Sequence, residues 1–267
     1  MVRVSRRAGF TGSALVRWLA SLGDLDVPES KQVFAERLSQ WLAWTDAIAL
    51  SAALDGSPAQ AFADRGDTRF APSAEEAECA RVRAALTNAI TRDNALRADK
   101  GRATPHATDR GMGDRSARTE TAADAATGPT RDFTPHRRRY VARQQAMDAS
   151  IGPLRARLRT SLAGRSPAMA RLAAVDAVME QLLGPREHHL LATVPGLLER
   201  HFERLAEAHP AESAEPPASG ATDAAPAAWL HDFTHAMQGV LIAELDIRMQ
   251  PVEGLLAALR SRSPHSP

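Results

Sequence analysis

The chain has 267 residues and a net charge of +1, so no overall field favours nucleic acid or an acidic membrane surface as a partner. Its single cysteine, Cys79, excludes an intrachain disulfide and a metal site built on several cysteines, and it predicts a reducing, cytoplasmic environment. Alanine, leucine and arginine are abundant and aromatic residues make up only 4%, which favours helices over strands.

The N-terminal block, residues 9–99, is predicted to begin with an amphipathic helix. Leucines and Trp18 recur there at helical spacing, and Gly23 ends the run. Thr11 or Ser13 can cap the start of this helix. No apolar stretch in the chain reaches the ~18 residues that a membrane-spanning helix needs, so the sequence predicts no transmembrane segment.

The second helix is predicted to start just after Pro28 and to run to about Leu54. Its second half, WLAWTDAIALSAAL, is apolar nearly all round, which is typical of a helix that is buried on most sides. We therefore predict a central core helix here, with an interface as the alternative, and an arginine partner for its one buried carboxylate. The residues with this role of core or interface are Phe34, Leu38, Trp41, Trp44, Asp46 and Ile48.

A third helix is predicted to begin at Ser73, where Ser-Ala-Glu-Glu forms a capping box. Val82, Leu86 and Ile90 mark its apolar face. The next segment, residues 100–132, has almost no large apolar side chain and mixes Gly, Thr, Ala, Asp and Arg without a period. This composition predicts a disordered linker.

The C-terminal block, residues 133–262, is predicted to hold the remaining helices. Its landmarks in chain order are a helix from Thr134 that bends or breaks at Pro153, a helix stop at Gly184-Pro185, a flexible insert at about 210–226, and a last helix from about Trp229 that Pro251 kinks. The sequence thus predicts an all-α fold, a multi-helix bundle in two helical blocks joined by a disordered linker. The blocks either form separate domains or pack on each other with the linker looped outside.

Histidines give the most enzyme-like signal. His231 and His235 are four residues apart and lie on one helix face, where they can share a metal ion. Asp232 occupies the place where zincin proteases carry their glutamate base, although it is one methylene shorter and the spacing fixes no third ligand. A metal-dependent hydrolase at HDFTH is therefore an alternative function. The adjacent His188 and His189 point to different helix faces, so they do not share one metal.

A basic helix gives a second alternative, a nucleic-acid binder, because clustered arginines can contact a phosphate backbone. Tyr140 is the only aromatic residue among them, and no helix-turn-helix, RNP or KH pattern accompanies them. Nucleic acid is therefore disfavoured as a partner. The arginines in this set are Arg137, Arg138, Arg139, Arg143, Arg155, Arg157 and Arg159.

Residues 10–54, FTGSALVRWLASLGDLDVPESKQVFAERLSQWLAWTDAIALSAAL, resemble the opening of an uncharacterised family of proteobacterial proteins, a domain of unknown function. The similar pieces are VPES, FAERLSQWL and WTDAIALSAAL, and further along HFERL and IAELDIRMQPVEGLL are also similar. The resemblance implies no activity, cofactor or catalytic residue. Members of this family are encoded near membrane-associated helical proteins of the stator and peptidoglycan-binding kind, which implies a partner in cell-envelope assembly.

We therefore expect a non-catalytic helical interaction or adaptor protein with a protein partner that the resemblance places at the membrane. The chain lacks a P-loop, a dinucleotide fingerprint, a nucleophile elbow and a calcium loop, so we predict no enzyme activity, no cofactor and no catalytic residue. Self-association stays open at this stage.

Overall fold

The computed structural model of the protein describes residues 13–23, 34–55, 72–100, 131–209 and 225–261. All regular structure in these ranges is helical, which confirms the predicted all-α fold. No helix in the described ranges is long and apolar enough to cross a membrane. The helices are α1 (Ala14–Gly23), α2 (Phe34–Trp41), α3 (Trp44–Asp55), α4 (Pro72–Lys100), α5 (Thr134–Ala163), α6 (Pro167–Leu191), α7 (Val194–Ala208) and α8 (Ala225–Arg260).

Two predicted segments of irregular structure fall almost wholly outside the described residues. These are the linker over 100–132 and the flexible insert over about 210–226. The described ends of the first segment adjoin helices: Lys100 closes α4, and the Asp132 carboxylate accepts the N–H of Thr134, the first residue of α5, at 2.8 Å.

The longest helix, α8, lies at the centre and packs against α1, α4, α5 and α7. Its buried side chains recur every three or four residues, because that spacing returns a side chain to the same helix face. The largest contact is between α8 and α5. The fully buried large apolar side chains of these two helices are Tyr140, Met147, Leu158 and Leu162 on α5 and Phe233, Met237, Leu245, Met249 and Leu259 on α8.

The two predicted helical blocks pack on each other. Helix α4 of the N-terminal block lies against α8 and α5, and its predicted apolar face is buried at Leu86 and Ile90 and half-buried at Val82. Cys79 lies in the same interface, where burial, and then the nearby Glu75 carboxylate, raise the pKa of its thiol. The cysteine therefore serves as a small apolar core residue in its thiol form.

Three prolines lie inside helices that continue past them: Pro153 in α5, Pro185 in α6 and Pro251 in α8. The predicted helix stop at Gly184-Pro185 is wrong, because α6 runs on to Leu191. A proline inside a helix costs about 3 kcal/mol through one lost hydrogen bond and a clash with the preceding turn. Each of these helices packs along its length against others, and this packing outweighs the local cost.

The single second helix predicted up to Leu54 is wrong, since α2 and α3 are separate. The Asp46 carboxylate accepts the Ala43 N–H at 3.0 Å, and a continuous helix would give that N–H to the carbonyl of Ser39. Asp46 thus caps the start of α3 from its third position. This half-buried carboxylate thus bonds to the main chain, and its expected arginine partner stays a prediction.

Helix α1 packs on α8 through a tryptophan that lies directly against a glycine. A Cβ atom added to Gly239 would come within 2.4 Å of the Trp18 ring. Leu15 and Leu22 are buried on the same side of α1, and the Ser13 hydroxyl caps its start by accepting the Val16 N–H at 3.4 Å. Only a residue without a side chain at position 239 allows this close approach.

Replacing Gly239 with Ala is expected to destabilise the protein by about 1–3 kcal/mol, because the new methyl group displaces a rigid indole ring. The matched control is Gly254→Ala on the same helix, where a Cβ atom meets nothing within 4 Å. That control should stabilise the protein by about 0.5–1 kcal/mol through helix propensity. Urea unfolding of both variants measures the difference, and equal effects would contradict the seating of Trp18 on Gly239.

Candidate functional site

One part of the described surface, at α2 and α3, exposes large apolar side chains. Trp44 is 82% exposed and Ile48 is 55% exposed, and no residue of α3 is fully buried. Soluble proteins seldom leave such side chains together in water unless a partner covers them. The helical repeat places one set of exposed residues on the same side, which we call the outer face of α3: Trp44, Ala47, Ile48, Ser51, Ala52 and Asp55.

The opposite side of α3 attaches it to α6. The half-buried residues Asp46, Leu50 and Ala53 recur at the spacing of one helix face, and α3 packs against α6. At the start of α3, the Arg186 guanidinium of α6 donates to the Trp41 carbonyl at 3.0 Å. Its central carbon also lies 5.6 Å from the centre of the Trp41 ring, which is a cation–π contact. The outer face therefore points away from the helix that carries α3.

These positions contradict the prediction of a central core helix in WLAWTDAIALSAAL. Trp41 is 38% exposed, and Trp44 and Ile48 are more exposed still. A sequence that is apolar all round shows that the residues avoid water, but it does not show what covers them. The interface alternative stays a prediction for these residues, while the side chains of Phe34 and Leu38 lie outside the described part of the chain.

The histidine motif HDFTH lies on the surface of α8. The side chains of His231 and Asp232 are 77% and 80% exposed, with Nδ1 and Oδ1 3.9 Å apart. His235 is exposed too, and its ring meets the Trp18 ring edge-on at 6.4 Å between centroids. Within the described ranges, no group of three or more His, Cys, Asp or Glu side chains is placed to hold a metal ion.

The other histidines occupy different surroundings. His188 and His189 are exposed near the end of α6. His201 of α7 is half-buried, with its ring 6.3 Å from that of Phe233. Burial, and then the charge of Arg204, lower the pKa of His201, although a hydrogen bond to the main chain of Leu22 opposes this shift. His201 thus stays neutral at neutral pH and helps to hold the end of α1.

At least four of the seven arginines in the basic set pair with carboxylates of neighbouring helices. These contacts fasten α5 to α6, α4 and α7, so much of the positive charge is neutralised within the fold. The arginines that bond to α6 are also largely buried. The pairs and their shortest distances are Arg155–Asp176 (2.7 Å), Arg159–Asp176 (3.1 Å), Arg157–Glu75 (3.4 Å) and Arg137–Glu199 (3.8 Å).

A buried polar network on α5 and α8 escaped the sequence analysis. The carboxylate of Glu244 is fully buried and accepts from the Tyr140 hydroxyl at 2.6 Å, from Gln144 Nε2 at 3.0 Å and from Arg248 Nε at 2.9 Å. Arg248 pairs in addition with Asp148 of α5. Burial, and then the Glu244 charge, raise the pKa of the Tyr140 hydroxyl well above its usual range, so that hydroxyl keeps its proton and donates.

Part of the network lines a cleft of about 220 Å³ between α5, α6, α7 and α8. Gln144, Asp148, His188 and Arg248 are among its lining residues. Both oxygens of Glu244 already accept hydrogen bonds, so this carboxylate has no vacant lone pair directed at a substrate proton. The arrangement therefore fixes the position of α5 on α8 and lacks the geometry of an acid–base pair.

Comparison with known proteins gives one match. A family model described as "Protein of unknown function (DUF3348)" matches residues 1–261. No curated protein and no solved structure matches the chain.

Replacing Glu244 with Gln is expected to destabilise the protein by about 3–5 kcal/mol, because it removes the one fully buried carboxylate of the network and leaves the Arg248 guanidinium with only the half-exposed Asp148 as its charge partner. Glu253→Gln on the same helix is the control, since Glu253 is exposed and its ion pair with Arg83 lies at the surface. That control should change stability by less than about 1 kcal/mol. Chemical unfolding at neutral pH measures both, and a small effect at Glu244 would contradict its role in holding α5 on α8.

The lowered pKa of His201 predicts a stability that depends on pH. The neutral His201 side chain makes its full contribution to the unfolding free energy above pH 6.5, the pKa of histidine in the unfolded chain. This contribution is lost as the pH falls from 6.5 through the lower pKa of the folded state, because the unfolded chain then binds a proton that the folded state resists. His201→Gln should therefore lose less unfolding free energy than the native protein between about pH 7.5 and pH 5. His231→Gln, at an exposed position, should follow the native curve. Parallel pH curves for the native protein and His201→Gln would rule this role out.

Proposed function

The chain belongs to this family of unknown function, and we propose that it is a non-catalytic helical interaction protein that binds a protein partner on the outer face of α3. The observation that carries the proposal is the exposure of Trp44 and Ile48 on a helix that is apolar all round. Helices with apolar anchors at this spacing commonly dock against a partner helix or groove.

The energetics of this face favour docking. A tryptophan has about 150–250 Å² of surface to bury, and apolar burial contributes roughly 25 cal/mol per Å². Covering a residue as exposed as Trp44 therefore stabilises a complex by several kcal/mol, which is the range of an interface hot spot. The face also has charged groups at its edges, with Asp55 at one end and Arg186 at the other. A polar edge around apolar anchors is the usual composition of a protein interface.

The two alternative functions have less support. A metal-dependent hydrolase at His231 and His235 has two exposed histidines and, within the described ranges, no third ligand beside them. A nucleic-acid binder at Arg137 to Arg159 would have to use arginines of which at least four are paired with carboxylates of the fold. The family resemblance adds a membrane-associated protein of cell-envelope assembly as a further partner, with the protein itself in the cytoplasm.

Replacing Trp44 with Ala tests the proposal, because it should remove partner binding without unfolding the protein. The change in unfolding free energy should stay within about 0.5 kcal/mol, since the side chain is largely in solvent. Recovery of the partner by tagged protein expressed at native level should fall at least about tenfold.

Two control variants define the result. Arg81→Ala, at an exposed position on α4, should keep both stability and partner recovery. Trp229→Ala should instead cost about 3–5 kcal/mol, because Trp229 is buried against Phe202. Unchanged partner recovery with Trp44→Ala would show that the outer face of α3 is not the docking surface.

A further inference from the structure

We infer that the occupant of the outer face of α3 is a second copy of the chain, whose α3 packs antiparallel about a two-fold axis at Ile48. This inference rests on the proposed function, since it names the partner of the same face. A symmetric pair of this kind needs a surface that is complementary to itself.

The outer face has this complementarity in side-chain size. Trp44 lies four residues before Ile48 and Ala52 lies four residues after it, with the small Ser51 beside Ala52. An antiparallel pair centred on Ile48 therefore places the large indole of each copy against small residues at the other end of its partner's helix. Such matching of large with small side chains gives the close packing that stable interfaces share with protein interiors.

The face has the same complementarity in charge. Asp55 and Trp41 lie seven residues on either side of Ile48, so the antiparallel pair brings Asp55 to the end where Arg186 covers Trp41. Asp55 is exposed, and its carboxylate is oriented by the Ser51 hydroxyl, which donates to it at 3.1 Å. A parallel pair would instead place Asp55 against Asp55 and Trp44 against Trp44, which adds repulsion and a steric clash.

The size of the surface predicts a pair of moderate strength. Helix α3 is about 18 Å long at 1.5 Å per residue, so α3 alone offers less than the ~800 Å² per partner of a standard interface. Leu190, which is 62% exposed, lies one turn after Arg186 on α6. We expect a dissociation constant in the micromolar range, as is usual for small apolar interfaces.

Sedimentation of the full chain over a concentration series gives the first test. The native protein should change from monomer to dimer with rising concentration, and Trp44→Ala should weaken the dimer at least about tenfold. Arg81→Ala is the control and should dimerise as the native protein does. A native chain that stays monomeric up to roughly 1 mM, or a dimer that Trp44→Ala leaves unchanged, overturns the inference.

Disulfide trapping gives the orientation. In a Cys79→Ala background, Ile48→Cys should form a disulfide-linked dimer under mild oxidation, because the two copies of position 48 face each other at the axis. Ala52→Cys should not, because eight residues separate the two copies of position 52 along the helices, about 12 Å, and a disulfide needs Cα atoms within about 7 Å. Equal trapping at both positions would indicate a parallel pair and overturn the arrangement.

These results separate the inference from the proposed function. A monomeric native chain whose partner recovery is abolished by Trp44→Ala overturns the second copy as occupant and leaves the docking face in place. Full partner recovery together with full dimerisation in Trp44→Ala overturns both. Circular dichroism of each cysteine variant checks that it keeps its helical content.

Discussion

The position of α5 on α8 depends on one buried carboxylate. Glu244 takes hydrogen bonds from Tyr140 and Gln144 on α5 and from Arg248 on its own helix, so a shift of α5 along α8 would remove the two hydrogen bonds that α5 donates to this buried carboxylate. Apolar contacts alone tolerate such shifts better, because leucine and methionine side chains can repack. Helices α1, α4 and α7 also pack against α8. The register of α5 on α8, which Glu244 fixes, therefore determines the surface against which these three helices pack.

Helical periodicity predicted the elements that are apolar on one side only. In α4 the buried positions Leu86 and Ile90 are those that the pattern selected, because a polar opposite face leaves one way to bury the apolar one. The same reasoning failed for α3, where apolar residues surround the helix and the pattern does not distinguish a covered side from an open one. Periodicity also failed to predict that α6 continues past Pro185. The contacts that stabilise α6 there are made with residues distant in sequence, which a local pattern does not show.

The Glu244 network had a local signal that the sequence analysis did not use. Tyr140 and Gln144 are four residues apart, as are Glu244 and Arg248, and both pairs interrupt apolar helix faces. A charged pair at that spacing inside an apolar stripe indicates a buried ion pair. That the two pairs bond to each other depends on residues about a hundred positions apart, which no local spacing specifies. Asp46 is the opposite case, because the main-chain N–H that its carboxylate binds lies only three residues away, within reach of a local pattern.

The two sides of α3 differ in what a mutation affects. Its inner side, with Leu50 and Ala53, holds the helix to α6, so mutations there affect folding. The outer face contributes little to folding, so substitutions at Ile48 or Ala52 leave the rest of the chain intact. Under the proposed function, binding preferences can therefore drift between related proteins by changes on this face alone, without compensating mutations in the core.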